Sequence, residues 1–336
     1  NDDAFDYDMG WRGKGQFWFT IQSADAGSDR CGEFDGGTTP QTGLPYATPV
    51  IFNATTLGRG ATTGTTRMYT FRDNAGGKFY NSILSEQNRA VDIELRGNSD
   101  DSYGRFQAGD LKLESNVFWD MASNNVNNQI TIAPIAGSFA NAADSTTQVA
   151  AARADVQAYF TTAKNKVANP KFVSVSRGAG LQLLDPRAVA FEVYDGLAAY
   201  PAGDAFFTPV EYKGAFGPDC ADFWADKWTY MDFLRYFPAT CADVTDVEDV
   251  LPAIASLVAY PNPNNGTFTL SADKVGNEPV EISVYNLVGA QILVRKVTPV
   301  AGMINETIEL GNVAAGIYVL KARQGDQVSA LRVDVK

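Results

Sequence analysis

Apolar and polar residues alternate with a period of two in six runs near the C-terminus: Thr267 to Leu270, Val280 to Tyr285, Gln291 to Val297, Glu306 to Leu310, Ile317 to Arg323 and Ala330 to Val335. Gly, Pro and Asn separate them. This pattern predicts a small antiparallel β-sandwich with one buried and one wet face per strand. Gly289, Gly316 and the pair Gly325-Asp326 supply turn chemistry.

The pattern is different upstream. Ile51 to Leu57, Phe79 to Leu84 and Glu114 to Trp119 align on an Asn that precedes a short β-type stretch. These residues, Asn53, Asn81 and Asn116, are spaced by 28 and 35. Such spacings suit the turns of a solenoid, with Asn side chains laddering between rungs and bonding one another or nearby backbone groups. Further strands are predicted at Gln16 to Ile21, Arg67 to Phe71, Val91 to Leu95 and Arg105 to Gln107. Residues 122–170 break the repeat. There Asp144-Ser145-Thr146 offers N-cap chemistry to an amphipathic helix carrying Val149, Ala152, Val156, Phe160 and Ala163, which is expected on the solenoid flank and to stop at Asn169-Pro170. A strand follows at Lys171 to Ser176. The aromatic segment 216–242, with Phe223, Trp224, Trp228, Tyr230, Phe233, Tyr236 and Phe237, is expected to cover the last rung.

Composition narrows the chemistry. The 336 residues, 45% hydrophobic and 20% charged, suffice for two globular domains. No apolar run approaches the roughly 20 residues of a membrane helix. A net charge of −12 argues against nucleic acid and anionic lipid, and leaves calcium as a possible ligand for carboxylates. Histidine is absent, which removes Ser-His-Asp and Cys-His nucleophiles and His-ligated zinc. The chain has neither an initiator Met nor a signal peptide, and is read as a mature form or a fragment. Of three cysteines, Cys220 and Cys241 flank the aromatic segment and are the expected disulfide. Cys31 is then a buried thiol or the partner of a cysteine elsewhere.

Tyr260-Pro261-Asn262-Pro263, Gly266, the run Val280 to Gly289 through Asn286, Ala314-Ala315-Gly316-Ile317-Tyr318-Val319-Leu320-Lys321 and the closing Leu331 to Lys336 follow an order that resembles the C-terminal sorting domain of type IX secretion cargo in Bacteroidetes. The resemblance covers about a quarter of the chain. It implies that Pro261, Asn262, Pro263, Gly266, Asn286, Gly289, Gly316, Tyr318 and Lys336 carry the sorting signal, that the outer-membrane secretion machinery is a partner, and that the protein reaches the cell surface or medium.

Asn1-Asp2-Asp3-Ala4-Phe5-Asp6 with Gly10-Trp11-Arg12-Gly13-Lys14-Gly15-Gln16-Phe17, Phe71-Arg72-Asp73-Asn74-Ala75-Gly76-Gly77, Leu184-Asp185-Pro186-Arg187 and Phe206 to Phe216 resemble rungs of right-handed parallel β-helix proteins exported by the same bacteria. Rungs normally precede the first of these motifs in such proteins. The resemblance therefore implies a chain that starts inside a solenoid, its first rung covered by further rungs or another polypeptide near Asp2 to Ile21.

Parallel β-helices host polysaccharide lyases and glycosidases, which makes three carboxylate groups candidates: Asp2, Asp3, Asp6 and Asp8; Asp100, Asp101 and Asp110 near Arg105; and Asp73 beside Arg72 and Lys78. Solvated loops, turn caps and Arg pairs account for such clusters more often than catalysis does. Trp224 and Trp228 could stack on a surface glycan, but a packing role weighs more. The sequence thus predicts an all-β chain: a right-handed parallel β-helix over 1–242, with insertion 122–170 and cap 216–242, an acidic linker 243–257 bearing Asp243, Asp246, Glu248 and Asp249, and an immunoglobulin-like sandwich over 258–336. The expected role is structural or adhesive, without catalytic residues, metal or cofactor. A carbohydrate-active enzyme is the alternative.

Overall fold

The computed structural model describes residues 3–24, 27, 29–37, 39–60, 66–241, 257–272, 275–276, 278–286, 290–300, 302–311, 313–325 and 327–336. The acidic linker up to residue 256, Asp2 and Gly289 lie outside these. The chain forms two units, Asn1–Thr245 and Asp246–Lys336, each with its own core.

Five rungs build the first unit. They are β1 (Phe5–Tyr7), β2 (Lys14–Gln16) and β3 (Phe19–Ile21); β4 (Gly32–Asp35), β5 (Val50–Phe52) and β6 (Thr55–Leu57); β7 (Arg67–Arg72), β8 (Gly77–Tyr80) and β9 (Ile83–Gln87); β10 (Arg89–Leu95), helix α1 (Ser102–Gln107), β11 (Leu111–Glu114) and β12 (Val117–Met121); and β13 (Ile130–Pro134), helix α2 (Ala142–Thr162) and β14 (Lys166–Val167). Every rung-to-rung pairing is parallel. The result is three sheets, ordered β1-β4-β7-β10-β13, β2-β5-β8-β11 and β3-β6-β9-β12-β14. Phe34, Ile51, Tyr69, Phe71, Phe79, Leu84, Val91, Ile93 and Phe118 fill the interior as one core. Stacked rungs share this core, which a lone rung could not enclose.

Arg105 to Gln107 are helical, not extended. Asp101 starts α1 by accepting the Gly104 N–H at 2.6 Å, the geometry that turns a polar loop into a helix N-terminus.

Helix α2 is offset from its expected start, end and place. Its N-cap is Asn141, which accepts the Asp144 N–H at 2.9 Å. It ends at Thr162, because Asn165 is needed as a corner residue of the fifth rung. In sequence it stands where the four preceding rungs place a strand of the β2-β5-β8-β11 sheet, and it answers the edge of β11. The Leu113 N–H donates to Tyr159 Oη at 3.0 Å, Asn165 Nδ2 donates to the Leu113 carbonyl at 2.6 Å, and the Ser115 N–H donates to the Ala163 carbonyl at 2.8 Å. Ala152, Val156 and Phe160 complete the central core. The helix therefore closes the last rung. An open strand edge there would leave a row of unsatisfied groups.

The aromatic segment instead belongs to a wrap, residues 168–241, along the flank. It carries β15 (Phe172–Ser174) paired antiparallel with β16 (Asp185–Ala188), and the short helices α3 (Phe191–Tyr194) and α4 (Tyr230–Phe233). Phe216, Phe223 and Phe237 pack with Leu57, Phe19 and Ile21, while Val193, Ala188 and Tyr212 pack with Ile83 and Val117. The expected positions of helix and aromatics are thus exchanged. The reason lies in β3, β6, β9 and β12, whose outward positions include Phe19, Ile21, Leu57, Ile83 and Val117. Strands apolar on both faces need cover on both. The Cys220–Cys241 disulfide closes the end of the wrap, with Cα atoms 5.7 Å apart. Cys31 is a free, fully buried thiol whose pKa burial raises.

The second unit is a seven-stranded antiparallel sandwich. One sheet holds β17 (Val258–Tyr260), β18 (Thr267–Ala272) and β21 (Ile304–Glu309). The other holds β19 (Val280–Asn286), β20 (Gln291–Val297), β22 (Gly316–Gln324) and β23 (Gln327–Val335). Phe268, Leu270, Ile282, Val284, Ile308, Leu320 and Val333 meet between the sheets. These are the alternate positions of the predicted runs.

Candidate functional site

The corner between the second and third sheets sets two columns of residues, one step apart. Asn53, Asn81, Ser115 and Lys164 adopt left-handed backbone, with φ of 56°, 52°, 59° and 58°. The strand registers Phe52↔Tyr80 and Tyr80↔Glu114 put Asn53, Asn81 and Ser115 in line. Asn116 falls in the next column with Ser82 and Ala54. The three predicted Asn residues therefore share a corner but not a register, since Ser115 takes the left-handed position on the fourth rung.

The columns do different work. In the inner one, the Ala54 N–H donates to Ser82 Oγ at 3.0 Å, the Ser82 N–H to Asn116 Oδ1 at 2.8 Å, and the Asn116 N–H to Asn165 Oδ1 at 3.0 Å. Asn116 Nδ2 returns to the Phe79 carbonyl at 3.0 Å. In the outer column Asn53 and Asn81 hold the wrap. Asn53 donates to the Tyr212 carbonyl and accepts from Tyr200 Oη, both at 2.7 Å. Asn81 accepts the Ala198 N–H at 2.7 Å and donates to its carbonyl at 3.0 Å. Gly214 makes this approach feasible: its φ is +89°, and a Cβ there would lie 2.7 Å from Thr55 Oγ1.

The outer face of the first sheet carries the densest charge. Arg72 bridges Glu33 (2.8 Å) and Asp35 (2.6 Å), Arg30 binds Glu33 (2.9 Å) and Asp29 (2.5 Å), and Arg96 binds Glu94 (2.7 Å) and Asp73 (3.3 Å). Burial pushes the carboxyls of Glu33, Asp73 and Glu94 above their usual values, outweighing the Arg pull. At the end nearest α2 the face opens into a cleft of about 640 Å³ bordered by Arg67, Arg89, Arg153, Asn88, Ser123 and Asn128. Arg67 pairs with Asp92 inside it.

The other predicted clusters take structural posts. Asp101 caps α1; Asp100 accepts Asn74 Nδ2 at 3.0 Å; Arg105 stands 4.9 Å over the Tyr46 ring; Asp3 accepts the Arg30 N–H at 2.9 Å. Trp224 packs on Phe216 with ring centroids 5.2 Å apart. Trp228, Tyr230 and Phe233 stay 71%, 72% and 76% exposed, so they form a shelf and not core. Among the described residues no three acidic or cysteine side chains converge as metal ligands, and no helix is long and apolar enough to cross a membrane.

In the sandwich, Asn262 donates to the Arg332 carbonyl at 2.8 Å and accepts the Asp334 N–H at 2.7 Å, tying the Pro261-Asn262-Pro263 turn to β23. The Lys336 N–H donates to the Asn264 carbonyl, and Asn264 Oδ1 accepts the Gly266 N–H at 2.7 Å. Asn286 closes the β19–β20 hairpin through the Ala290 N–H, and Tyr318 Oη donates to the Ala314 carbonyl, both at 2.8 Å. Gly316 opens β22.

Sequence reasoning missed Asn165, Asn264 and the arginine cleft. Helix α2 separates Asn165 from Asn116 and hides the repeat. Asn264, next to Asn265-Gly266, carried a legible turn signal. The cleft residues come from β7, β10 and α2 and form no local motif.

These features define a parallel β-helix joined in sequence to an antiparallel sandwich. Residues 1–166 match the family described as a pectate-lyase-like β-helix domain, and residues 258–336 match the secretion system C-terminal sorting domain. The chain is a type IX secretion cargo, exported to the cell surface or extracellular space, and its sorting domain engages the secretion machinery. No curated protein matches the chain.

Proposed function

We propose that the exported β-helix serves a structural or adhesive role at the surface. The cross-rung pairing of its charged face carries this reading. Arg72 ties β7 to Glu33 and Asp35 of β4; Arg72 and Arg96 each hold two carboxylates and Arg30 holds three. Guanidinium groups committed in this way hold rungs in register. Groups committed to one another in this way favour a structural role over nucleophilic attack. The exposed shelf of Trp228, Tyr230 and Phe233 offers a contact surface, with a surface glycan as its partner.

A carbohydrate-active enzyme is the second reading. The open cleft favours it, because Arg89 borders a roomy site with Asp92 at hand. The full chain incubated with acidic and neutral polysaccharides, with and without calcium, should release no new reducing ends or unsaturated products. It should bind surface glycan, and lose that binding in a Trp228→Ser/Phe233→Ser variant of unchanged melting temperature. Calcium-dependent depolymerisation lost in Arg89→Ala would replace the scaffold reading with the enzymatic one.

A further inference from the structure

The cleft beside α2 departs from the rest of the molecule in its charge. The chain holds 39 acidic against 27 basic side chains, yet this cleft gathers Arg67, Arg89 and Arg153 around one carboxylate, Asp92. That carboxylate is already committed, to Arg67 on one oxygen and to Thr131 Oγ1 on the other. Arg89 opens β10 and Arg153 lies on α2 next to the buried Ala152. Both are exposed, and neither side chain forms an ion pair or hydrogen bond among the described residues. Elsewhere on the same sheet face Arg30, Arg72 and Arg96 are each held by at least two carboxylates. Two unpaired guanidinium groups facing a concave space are therefore the exception on this face.

The electrostatics point the same way. The cationic form of Arg67 is disfavoured first by burial and then by the neighbouring Arg89 and Arg30. An anion between the arginines would relieve that repulsion. Guanidinium forks suit planar or tetrahedral oxyanions. Around them Asn88, Ser123 and Asn128 place amide and hydroxyl groups, and the volume lies within the range of small-ligand sites, about 300–1,000 Å³.

We propose that this cleft is an oxyanion-binding site. In it Arg89 and Arg153 would grip a sulfate, phosphate or carboxylate group, and Arg67 would be held ready by Asp92. This goes beyond the structural reading, which neither requires nor excludes a bound anion.

The test uses the full chain at constant ionic strength. Sodium sulfate, phosphate and citrate are titrated against chloride, with binding read from NMR shifts of arginine Nε–H groups. Sulfated, uronate and neutral oligosaccharides of equal length then distinguish the natural source of the oxyanion. Saturable binding is expected for at least one oxyanion. It should weaken tenfold or more in Arg89→Ser/Arg153→Ser, while the melting temperature without anion stays unchanged. Arg153→Lys, which keeps the charge but loses the fork, should fall between the two and serves alone if the double variant does not fold. Equal affinity in wild type and variants, or no saturable binding of any probe, would overturn the assignment. Neither result bears on the scaffold reading, which fails on cleavage of a polysaccharide or on absence of glycan binding by the wild-type chain.

Discussion

Asn116 and Asn165 stand one above the other on the last two rungs, the N–H of the first donating to Oδ1 of the second at 3.0 Å. Both side chains are buried, and each also donates to a carbonyl of a preceding strand. Asn165→Ala should leave the Asn116 N–H and the Leu113 carbonyl without partners. A loss of about 2–4 kcal/mol is expected, since each buried unsatisfied group costs about 1–3 kcal/mol. Chemical denaturation of the first unit measures it; a loss below about 0.5 kcal/mol would deny the ladder any energetic role.

The outer column should behave differently. Asn81→Gly removes two bonds to Ala198 and keeps the left-handed corner, so the rungs stay intact. Hydrogen exchange should accelerate around residues 196–214 while β8 and β9 stay protected. Equal acceleration in the strands would mean that wrap and rungs open as one unit.

Opening the Cys220–Cys241 disulfide should loosen the same wrap near α4. The loop closes a sequence separation of 21 residues, for which chain entropy gives on the order of 3 kcal/mol. A Cys220→Ser/Cys241→Ser variant should show lower stability and new protease cuts near Trp228. Unaltered proteolysis would assign the fixing of the wrap to Phe216, Phe223 and Phe237 alone.

Lys213 gives the first unit a pH signature. It is fully buried, donates to the Glu192 and Asp195 carbonyls, and has its pKa lowered to about 8 by burial and then by Lys166. The ordinary value, 10.5, applies in the unfolded chain. Between these two values the unfolded state binds more protons, so stability rises with pH through that window. The gain between about pH 8 and 9.5 should be about 1–2 kcal/mol and vanish in Lys213→Met. The buried tyrosines act with the opposite sign at higher pH. Tyr80, pushed up to about 12, keeps its proton in the fold when the unfolded chain has lost it. A flat wild-type profile between about pH 8 and 9.5 would contradict the lowered Lys213 value.

Deleting Leu257–Lys336 should stop export and leave the first unit folded in the periplasm, since each unit encloses its own core. Cell fractionation with circular dichroism of the retained protein checks both halves. Export of the truncated chain at normal levels would disprove sorting by this domain.

The sandwich was legible because its strands bury one face only. Phe268 and Leu270, or Ile282 and Val284, announce the core by alternation, and the missing strand β17 has just three residues. The solenoid was legible in its strands and partly in its corners. Asn53 and Asn81 fell in register, whereas Asn116 came one residue late because Ser115 had taken the left-handed position. The sheet of β3, β6, β9 and β12 is apolar on both faces, so periodicity could not say what covers it. That ambiguity exchanged the places of helix and aromatic segment. The cleft depends on Arg67, Arg89 and Arg153 meeting across 86 residues of chain, which no local pattern reports.

A stack of parallel rungs has no natural length: each new turn offers the next the same hydrogen-bonding edge. In this protein α2 terminates that growth. Tyr159, Ala163 and Asn165 use up the groups on β11 and Ser115 through which a further copy would join. The helix thus denies edge-to-edge pairing to the sheet of β2, β5, β8 and β11 at this pole. It also separates height from termination, so that whole turns can be gained or lost beneath it while the same lid still fits.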